Sequence, residues 1–324
     1  MKRFLRRTGV VILAVLFWGL TMTIAIAEES KPEIGKSAIP VQEIKTAPAD
    51  PARQFQPAEE VKPTTEVALS VLSAYISKGD ELSRNSIVVQ PQITVGYQGW
   101  SLNVWGNLDT RPYLAEQNDY KGDKRQNWTE TDLTIAYNRS FGLVKAGVYY
   151  AYFGNAAFWN SGGEAGPDQK DDQEAGITLG LDTLLSPSFK VLRSFDSTQV
   201  WYMQLGISHT FEFNKVLGLT IAATGSYLMS QDDERLKINN DGSAVKADGS
   251  RNDRYNNFHD AVLTASLPIK ANAYLTITPQ LSYVFPICSD AKYDMQNRSM
   301  QVGTAFGDRQ SSYLVGGLTA TMSF

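Results

Sequence analysis

The sequence predicts an all-β protein, a transmembrane antiparallel up-and-down β-barrel of about twelve strands, with ten or fourteen strands as alternatives. Three observations predict this class. The last segment, Ser311–Phe324, alternates apolar residues with small or hydroxyl-bearing ones, and a period of two indicates a strand. Eleven more segments with strand patterns precede it, joined by connections that alternate between short and long. After Ala27 no stretch approaches the ~18 apolar residues that a membrane-spanning helix needs.

Residues 1–27 have the pattern of a cleaved export signal. Lys2, Arg3, Arg6 and Arg7 form a positive region, an uncharged apolar run follows, and Ala25-Ile26-Ala27 is an A-x-A cleavage site. An uncleaved membrane anchor is the alternative. Residues 28–64 are rich in Pro, Ala, Glu and Lys and show no sustained period, which predicts a disordered periplasmic lead-in to a barrel over residues 65–324.

The predicted strands follow one another from residue 67 to the last residue. Each is a run of alternating or mostly apolar residues bounded by turn or loop residues. They cover about Val67–Ser77, Ile87–Tyr97, Trp100–Leu108, Thr131–Asn138, Leu143–Phe153, Gln173–Leu185, Ser188–Phe195, Gln199–Phe213, Leu217–Met229, Asn257–Ile269, Tyr274–Ile287 and Ser311–Phe324.

The connections indicate how the sheet is arranged. With the N-terminus in the periplasm, tight turns such as Gln98-Gly99, Ser186-Pro187 and Lys270–Ala273 all fall on that side, and the long polar loops fall outside. The link Asp196–Thr198 is an outer connection of unusual shortness, which makes the seventh strand the weakest element of the pattern. In hydrocarbon each unpaired backbone N–H or C=O costs several kcal/mol, so the first and last strands must pair and close the barrel.

Alternation along each strand assigns its two faces. The eighth strand places Trp201, Met203, Leu205 and Ile207 on one face and mostly polar residues on the other. We expect the apolar face to contact lipid and the polar face to line the interior. The predicted pore-lining residues are Asp132, Lys145, Glu174, Asp182, Lys190, Gln204, Glu212, Asp260 and Gln280. Their mixed charge fixes no ion preference, and the alternative is a plugged barrel whose interior ion pairs are structural.

Composition excludes several other classes. The net charge of −4 is mild and argues against a nucleic-acid surface. A single cysteine, Cys288, rules out a disulfide framework and a cysteine-based metal cluster. The sequence contains no phosphate-binding loop and no dinucleotide fingerprint, so we expect no cofactor. Many of the 15 Tyr, 14 Phe and 6 Trp fall near strand ends, where aromatic belts meet the membrane interface.

Catalytic chemistry has few candidates. The two histidines, His209 and His259, share the parity of the lipid-directed residues, whereas Ser226 and Ser230 have interior parity. A serine nucleophile and its histidine base must lie within hydrogen-bond reach, which here would need a β-bulge. We therefore predict that the protein is not an enzyme, with a lipid-active barrel enzyme as the less favoured alternative.

Two groups of carboxylates in the outer loops could bind calcium weakly or bridge to lipopolysaccharide through divalent ions. Neither has the spacing of a calcium-binding loop with its sixth-position glycine, so we interpret them as solvated loop charge and predict no metal site. The groups are Asp168, Asp171 and Asp172, and Asp232, Asp233 and Glu234.

The first three strands resemble the bacterial TorF-type porin family. The similar segments are Ser73–Gly79, Val89–Gln92 and Gly99–Asp109, although Lys78 stands where that family usually has Arg and the Pro-Gln step is loose. The resemblance implies an outer-membrane channel of unassigned substrate and brings no catalytic residues. The terminal strand that ends at Phe324 also resembles the assembly signal of bacterial outer-membrane barrels.

These patterns together predict a protein of the bacterial outer membrane that lets small polar solutes diffuse through its interior. The alternative is a closed structural or adhesive barrel that acts through its outer loops. The expected partners are outer-membrane lipids, lipopolysaccharide, small polar solutes and the barrel assembly machinery, which would read the strand ending at Phe324.

Overall fold

A computed structural model describes residues 62–111, 127–155, 171–301 and 303–324. The predicted signal peptide and nearly all of the predicted lead-in lie outside these ranges, as do Asp168 and parts of three predicted outer loops. The domain boundaries predicted for the first 61 residues stay predictions.

Twelve antiparallel strands form the wall, which confirms the predicted fold class and strand number. Each corresponds to one predicted strand. They are β1 Thr64–Leu72, β2 Val88–Tyr97, β3 Trp100–Asp109, β4 Trp128–Phe141, β5 Val144–Asn155, β6 Asp172–Leu181, β7 Ser188–Ser194, β8 Val200–Glu212, β9 Gly218–Ser230, β10 Asn256–Ser266, β11 Leu275–Pro286 and β12 Tyr313–Ser323. A two-residue strand, Ile269–Lys270, extends the pairing of β11.

The wall is a closed barrel. Every strand pairs with its neighbours in chain order, and β1 pairs with β12 from Glu66 opposite Ser323 to Leu72 opposite Gly317. The main-chain bonds Thr65 N–H to Phe324 O and Phe324 N–H to Thr65 O carry the pairing to the last residue. No edge is left to face hydrocarbon, as the cost of unpaired backbone groups requires.

Alternation separates an apolar outer surface from a polar interior. Leu205 and Leu314 are 67% and 64% exposed on the outside, whereas Leu192 and Leu228, of inward parity, are at most 1% exposed. Exposed leucine, isoleucine, valine and aromatic side chains lie on the outside of every wall strand except β7, whose outward Phe189 and Val191 are partly buried. Such a belt is stable only against lipid. Among the described residues, no helix is long and apolar enough to cross a bilayer.

The connections divide the barrel into two ends, here called the turn end and the loop end. The turn end carries the short connections, including Gln98-Gly99, where φ values of 50° and 89° give the left-handed backbone that a tight hairpin requires. The loop end carries the long connections. The link after β7 is short there, as predicted, and β7 itself is confirmed.

Three elements differ from the sequence prediction. The strand β1 ends at Leu72 instead of Ser77, because the chain leaves the wall at Ser73 and turns into a small hairpin, Ile76–Ser77 paired with Asp80–Glu81. The last long loop, predicted as irregular, contains a helix, α1 (Ser289–Asn297), and a short 3-10 helix. The strand β6 ends at Leu181 because Leu184 and Leu185 belong to an exposed turn.

Candidate functional site: the barrel interior

The half of the interior next to the turn end is lined by small polar side chains. Inward hydroxyl groups pair across neighbouring strands, as in Thr210–Thr220 at 2.8 Å and Thr264–Ser282 at 2.9 Å. Asn138, Ser140, Lys145 and Thr178 have inward parity at the same end of the barrel. Hydroxyl, amide and charged groups of this kind are easily hydrated, so this half is suited to hold water and polar solutes.

The predicted pore-lining residues fall at three levels of the interior. Lys145, Asp182 and Glu212 lie at the turn end, where Lys145 Nζ is 3.4 Å from Asp182 Oδ2 and both are exposed. Lys190, Gln204 and Gln280 lie along the middle of their strands and are partly buried. Asp132, Glu174 and Asp260 lie nearer the loop end, where Asp132 is partly buried and the other two are almost completely buried.

The hairpin that follows β1 folds into the loop half of the lumen. Its tip, Lys78-Gly79, places Lys78 Nζ 2.6 Å from Glu174 Oε2 on β6 and 5.7 Å from the centre of the Phe153 ring on β5. Since β6 is five strands round the wall from β1, the hairpin crosses the lumen. The tip also touches β10, because a Cβ built on Gly79 would lie 2.8 Å from His259 Cε1.

Ion pairs hold the base of this hairpin against the loop-end connections. Asp80 lies 3.2 Å from Arg235 and 3.4 Å from Arg298. Glu81 accepts hydrogen bonds from Ser299 Oγ at 2.9 Å and from the Met300 N–H at 2.8 Å. The hairpin is therefore tied at its base by several charged and polar contacts and at its tip by the Lys78–Glu174 pair.

The helix α1 fills the lumen beside the hairpin. Met295 is fully buried and packs with Val284, Tyr313 and Val315, which are inward residues of β11 and β12, while Ile76 of the hairpin packs against this cluster. Asp290 lies in the first turn of α1, where a carboxylate is favourable. The helix and the hairpin together occupy the loop half of the interior.

The centre of this packing is the ion pair between Arg235 and Asp294, whose Nη2 and Oδ2 atoms are 2.6 Å apart. Burial alone would raise the pKa of Asp294, but Arg235, His259 and Arg298 lower the pKa of that carboxyl well below its usual range. Burial opposes the charge of Arg235 as well, yet Asp294 and Asp80 raise the pKa of the guanidinium. Both groups are therefore charged, and each stabilises the charged form of the other.

The position of His259 corrects the prediction that it faces lipid. Its ring is completely buried in the interior, with Nδ1 3.0 Å from Asp260 Oδ1 and Nε2 3.0 Å from Asp294 Oδ2. The cause is a β-bulge between β9 and β10, where Gly225 pairs with Ala261 but Tyr227 pairs with Phe258. Since a bulge places one extra residue between these pairs, it turns both His259 and Asp260 inward.

The bulge does not assemble a serine–histidine pair. Ser226 Oγ lies 2.7 Å from Asp260 Oδ1 and accepts a hydrogen bond from the Asp260 N–H, while both ring nitrogens of His259 face carboxylates. Tyr202 donates to Asp260 as well, at 3.1 Å. His209 does lie on the outer surface as predicted, 2.7 Å from Leu184 O and edge-on to Phe211.

Within the described ranges, no three His, Cys, Asp or Glu side chains are arranged to hold a metal ion. Among the outer carboxylates that the structure describes, Asp233 and Asp171 have protein partners. Asp233 pairs with Arg254 at 2.6 Å, which together with the charge of Arg251 lowers its pKa, and Asp171 accepts a hydrogen bond from Tyr152.

Sequence reasoning did not place Lys78, Arg235, Asp294 or His259 in the loop half of the lumen, where the structure has them. Two signals were present. Lys78-Gly79, between Ile76-Ser77 and Asp80-Glu81, contains the glycine that is typical of a tight turn at the tip of a hairpin. Ala291–Gln296 contains good helix formers directly after Ser289-Asp290, which is a helix-start pattern.

Comparisons with known proteins add only general likenesses. No family model and no curated protein matches the chain. Among solved structures it is similar to the NanC porin (TM-score 0.46, 9% identity, 80% of this chain and 98% of that one). It is also similar to an outer membrane channel from Pseudomonas putida F1 (TM-score 0.43, 10% identity, 82% of this chain and 97% of that one). A third similar structure is LpxR from Salmonella typhimurium (TM-score 0.41, 10% identity, 79% of this chain and 99% of that one). With scores below 0.5, these likenesses carry no conclusion about activity, and no family match supports the TorF resemblance.

Proposed function

We propose that this protein is an outer-membrane channel for small polar solutes, with a pathway that the hairpin 76–81 narrows or closes at the loop end. The observation that carries the proposal is the contrast between the two halves of the lumen. Small hydroxyl and amide groups line the turn half, while a separate, locally tied segment fills the loop half. A barrel that needed only a solid core could fill both halves with wall side chains.

The predicted pore-lining residues support this proposal through their position. Lys145 and Asp182 stand at the turn end, and Gln204, Lys190 and Asp132 continue the polar surface towards the hairpin. The pathway would then run along β4–β8, past Glu174 at the hairpin tip. The outer-membrane location, the export signal and the recognition of Phe324 by assembly machinery belong to the same proposal and rest on the barrel with its apolar belt.

Single-channel recording on the purified full chain in planar bilayers tests the proposal. Wild type should show small or rare conductance steps, and a variant with residues 74–84 replaced by a short Gly-Ser linker should show larger or more frequent ones. The matched control shortens a different loop-end segment, residues 240–250, most of which are exposed. Absence of conductance above background in both wild type and the residue 74–84 variant would refute the channel.

A second candidate is a closed barrel that acts through its outer loops. A cleft of about 690 Å³ favours it, formed by residues 238–247 together with Asp290 and Tyr293 of α1. The loop is well ordered by its own bonds, such as Asn252 Nδ2 to Lys237 O at 2.7 Å. Shortening residues 240–250 should then abolish adhesion of cells to a surface or partner without changing permeability, and unchanged adhesion would remove this candidate.

A further inference from the structure

The wall opposite the hairpin tip carries more acidic than basic side chains. Glu130 and Asp132 of β4 and Glu174 of β6 face the lumen, and Asp132 interacts electrostatically with Glu130, Glu174 and Lys78. The nearby wall cation is Lys190, whose ammonium group lies 4.9 Å from the centre of the Tyr149 ring. The wall alone therefore presents three carboxyl groups and one ammonium at this level.

The hairpin brings a second ammonium group to this acidic wall. Lys78 Nζ meets Glu174 Oε2 at 2.6 Å, and Glu174 also accepts a hydrogen bond from Tyr149 at 2.9 Å. The Glu174 side chain is 4% exposed, whereas that of Lys78 is 30% exposed, so a solvent-accessible ammonium group is paired with a buried carboxylate. Asp132 Oδ1 is buried beside them without a hydrogen-bond partner.

The contacts of the hairpin tip are fewer than those of its base. The tip is held by the Lys78–Glu174 pair, by the Phe153 ring and by the close approach of Gly79 to His259. The base is held by Asp80 and Glu81, each with several partners. Movement of the Lys78 side chain alone would leave Asp80 and Glu81 in place and would expose the Glu174 carboxylate to the lumen.

We propose that the pathway past the hairpin prefers cationic solutes, and that Lys78 closes it by occupying, as a tethered ammonium group, the carboxylate site that such a solute would use. The inference rests on the proposed channel function and names its solute class. Clefts lined by one sign of charge concentrate counter-ions of the other sign. Lys78 is then the residue that sets specificity from the hairpin, and Glu130, Asp132 and Glu174 set it from the wall.

Reversal potentials in a KCl gradient test the inference on the full chain in planar bilayers. Recording at low salt, about 0.1 M or less, keeps wall charges unscreened over about 10 Å. Recording at about pH 9 ionises carboxyl groups more completely than recording at neutral pH. Lys78→Ala should increase the preference for K⁺ over Cl⁻, and adding Glu130→Gln and Asp132→Asn to it should reduce that preference roughly threefold or more. Lys246→Ala, which removes an exposed lysine paired with Asp253, is the matched control and should not change it.

Liposome swelling gives a second readout with solutes of similar size. Through the Lys78→Ala variant, free lysine should enter faster than free glutamine, and glutamine faster than glutamate. Conductance that prefers Cl⁻, or that ignores the loss of Glu130 and Asp132, would overturn the inference and leave the channel proposal standing. Absence of conductance in Lys78→Ala and in the variant lacking residues 74–84 would overturn the channel proposal and this inference with it.

Discussion

Lys78 Nζ lies 2.6 Å from Glu174 Oε2, and the two residues approach each other from nearly opposite sides of the barrel. An ion pair across a lumen differs from one within a wall, because it joins two elements that the backbone does not hold together. Breaking it would remove one contact between the hairpin and the wall and would leave the pairing of the wall strands unchanged.

Replacing Lys78 by Ala should loosen the hairpin tip and increase the frequency of open events in bilayer recordings. The partly exposed pair is worth on the order of 1 kcal/mol, which corresponds to a several-fold change in the population of the withdrawn hairpin. Lys237→Ala, which breaks a partly exposed 3.3 Å pair with Asp290 that does not include the hairpin, provides the comparison. Equal open frequency in the two variants would contradict a role for Lys78 in closure.

Gly79→Ala should release the hairpin tip more than Gly249→Ala. Both glycines have a positive φ, of 82° and 85°, and both alanines would cost about 1–2 kcal/mol for that backbone. Only at Gly79 would the added Cβ clash with the His259 ring, since nothing lies within 4 Å of the position at Gly249. Faster hydrogen exchange at the Leu82 amide, which bonds to Tyr75 O, should appear in Gly79→Ala alone. Similar exchange in both variants would argue against contact between the tip and β10.

Arg235→Ala should destabilise the folded barrel strongly. It would leave Asp294 buried without its main counter-charge, and breaking a buried pair from one side costs about 3–5 kcal/mol. Arg298→Ala is the control, because Arg298 is 32% exposed and shares the same carboxylates, so its loss should cost roughly 1 kcal/mol or less. Urea unfolding in detergent micelles measures both free energies, and a cost for Arg235 no larger than that for Arg298 would contradict the assignment.

Acid should weaken the loop-end packing through Asp294. Its pKa is lower in the folded protein than in the unfolded chain, so the stabilisation is complete above the unfolded pKa of about 4 and is lost as the pH falls from there through the folded pKa. The free energy of unfolding of Asp294→Asn should therefore depend less on pH below about 4 than that of wild type. Parallel profiles for the two proteins would show that Asp294 does not supply this dependence.

Leu205→Lys should test which face meets the lipid. Leu205 lies near the middle of β8 and is 67% exposed, and a lysine on the lipid face near the bilayer midplane costs about 2–4 kcal/mol. Gln204→Lys, one residue away with inward parity, should cost clearly less. The unfolding free energies in lipid vesicles would contradict the assignment of faces if the two substitutions cost the same.

The wall could be predicted from sequence because a period of two is a local property. Tyr202 and Leu205 already differ in parity within one strand, and the structure places the first inside and the second outside. All twelve strands and the closure between β1 and β12 follow from this pattern and from the cost of unpaired backbone groups.

The filling of the lumen could not be predicted in the same way. One extra residue in β10 reverses the direction of His259, and a bulge leaves no clear mark on the pattern of apolar residues. Lys78 and Asp294 lie in segments that sequence treats as loops, and their partners, Glu174 and Arg235, are 96 and 59 residues away. Such contacts depend on the finished barrel, which no local pattern describes.

The pairing of β1 with β12 joins the two ends of the barrel sequence, and we expect it to form late in folding. Ser70 and Thr319 form a 2.8 Å hydrogen bond across it, although 249 residues separate them in the chain. Contacts between such distant segments form slowly during folding. Until they form, the sheet is open and both β1 and β12 are edge strands with unpaired backbone groups. The hairpin starts directly beyond β1, where Ser73 bonds to Gly316. We therefore expect pairing of β12 with β1 to close the barrel and to position the hairpin in the lumen in the same step.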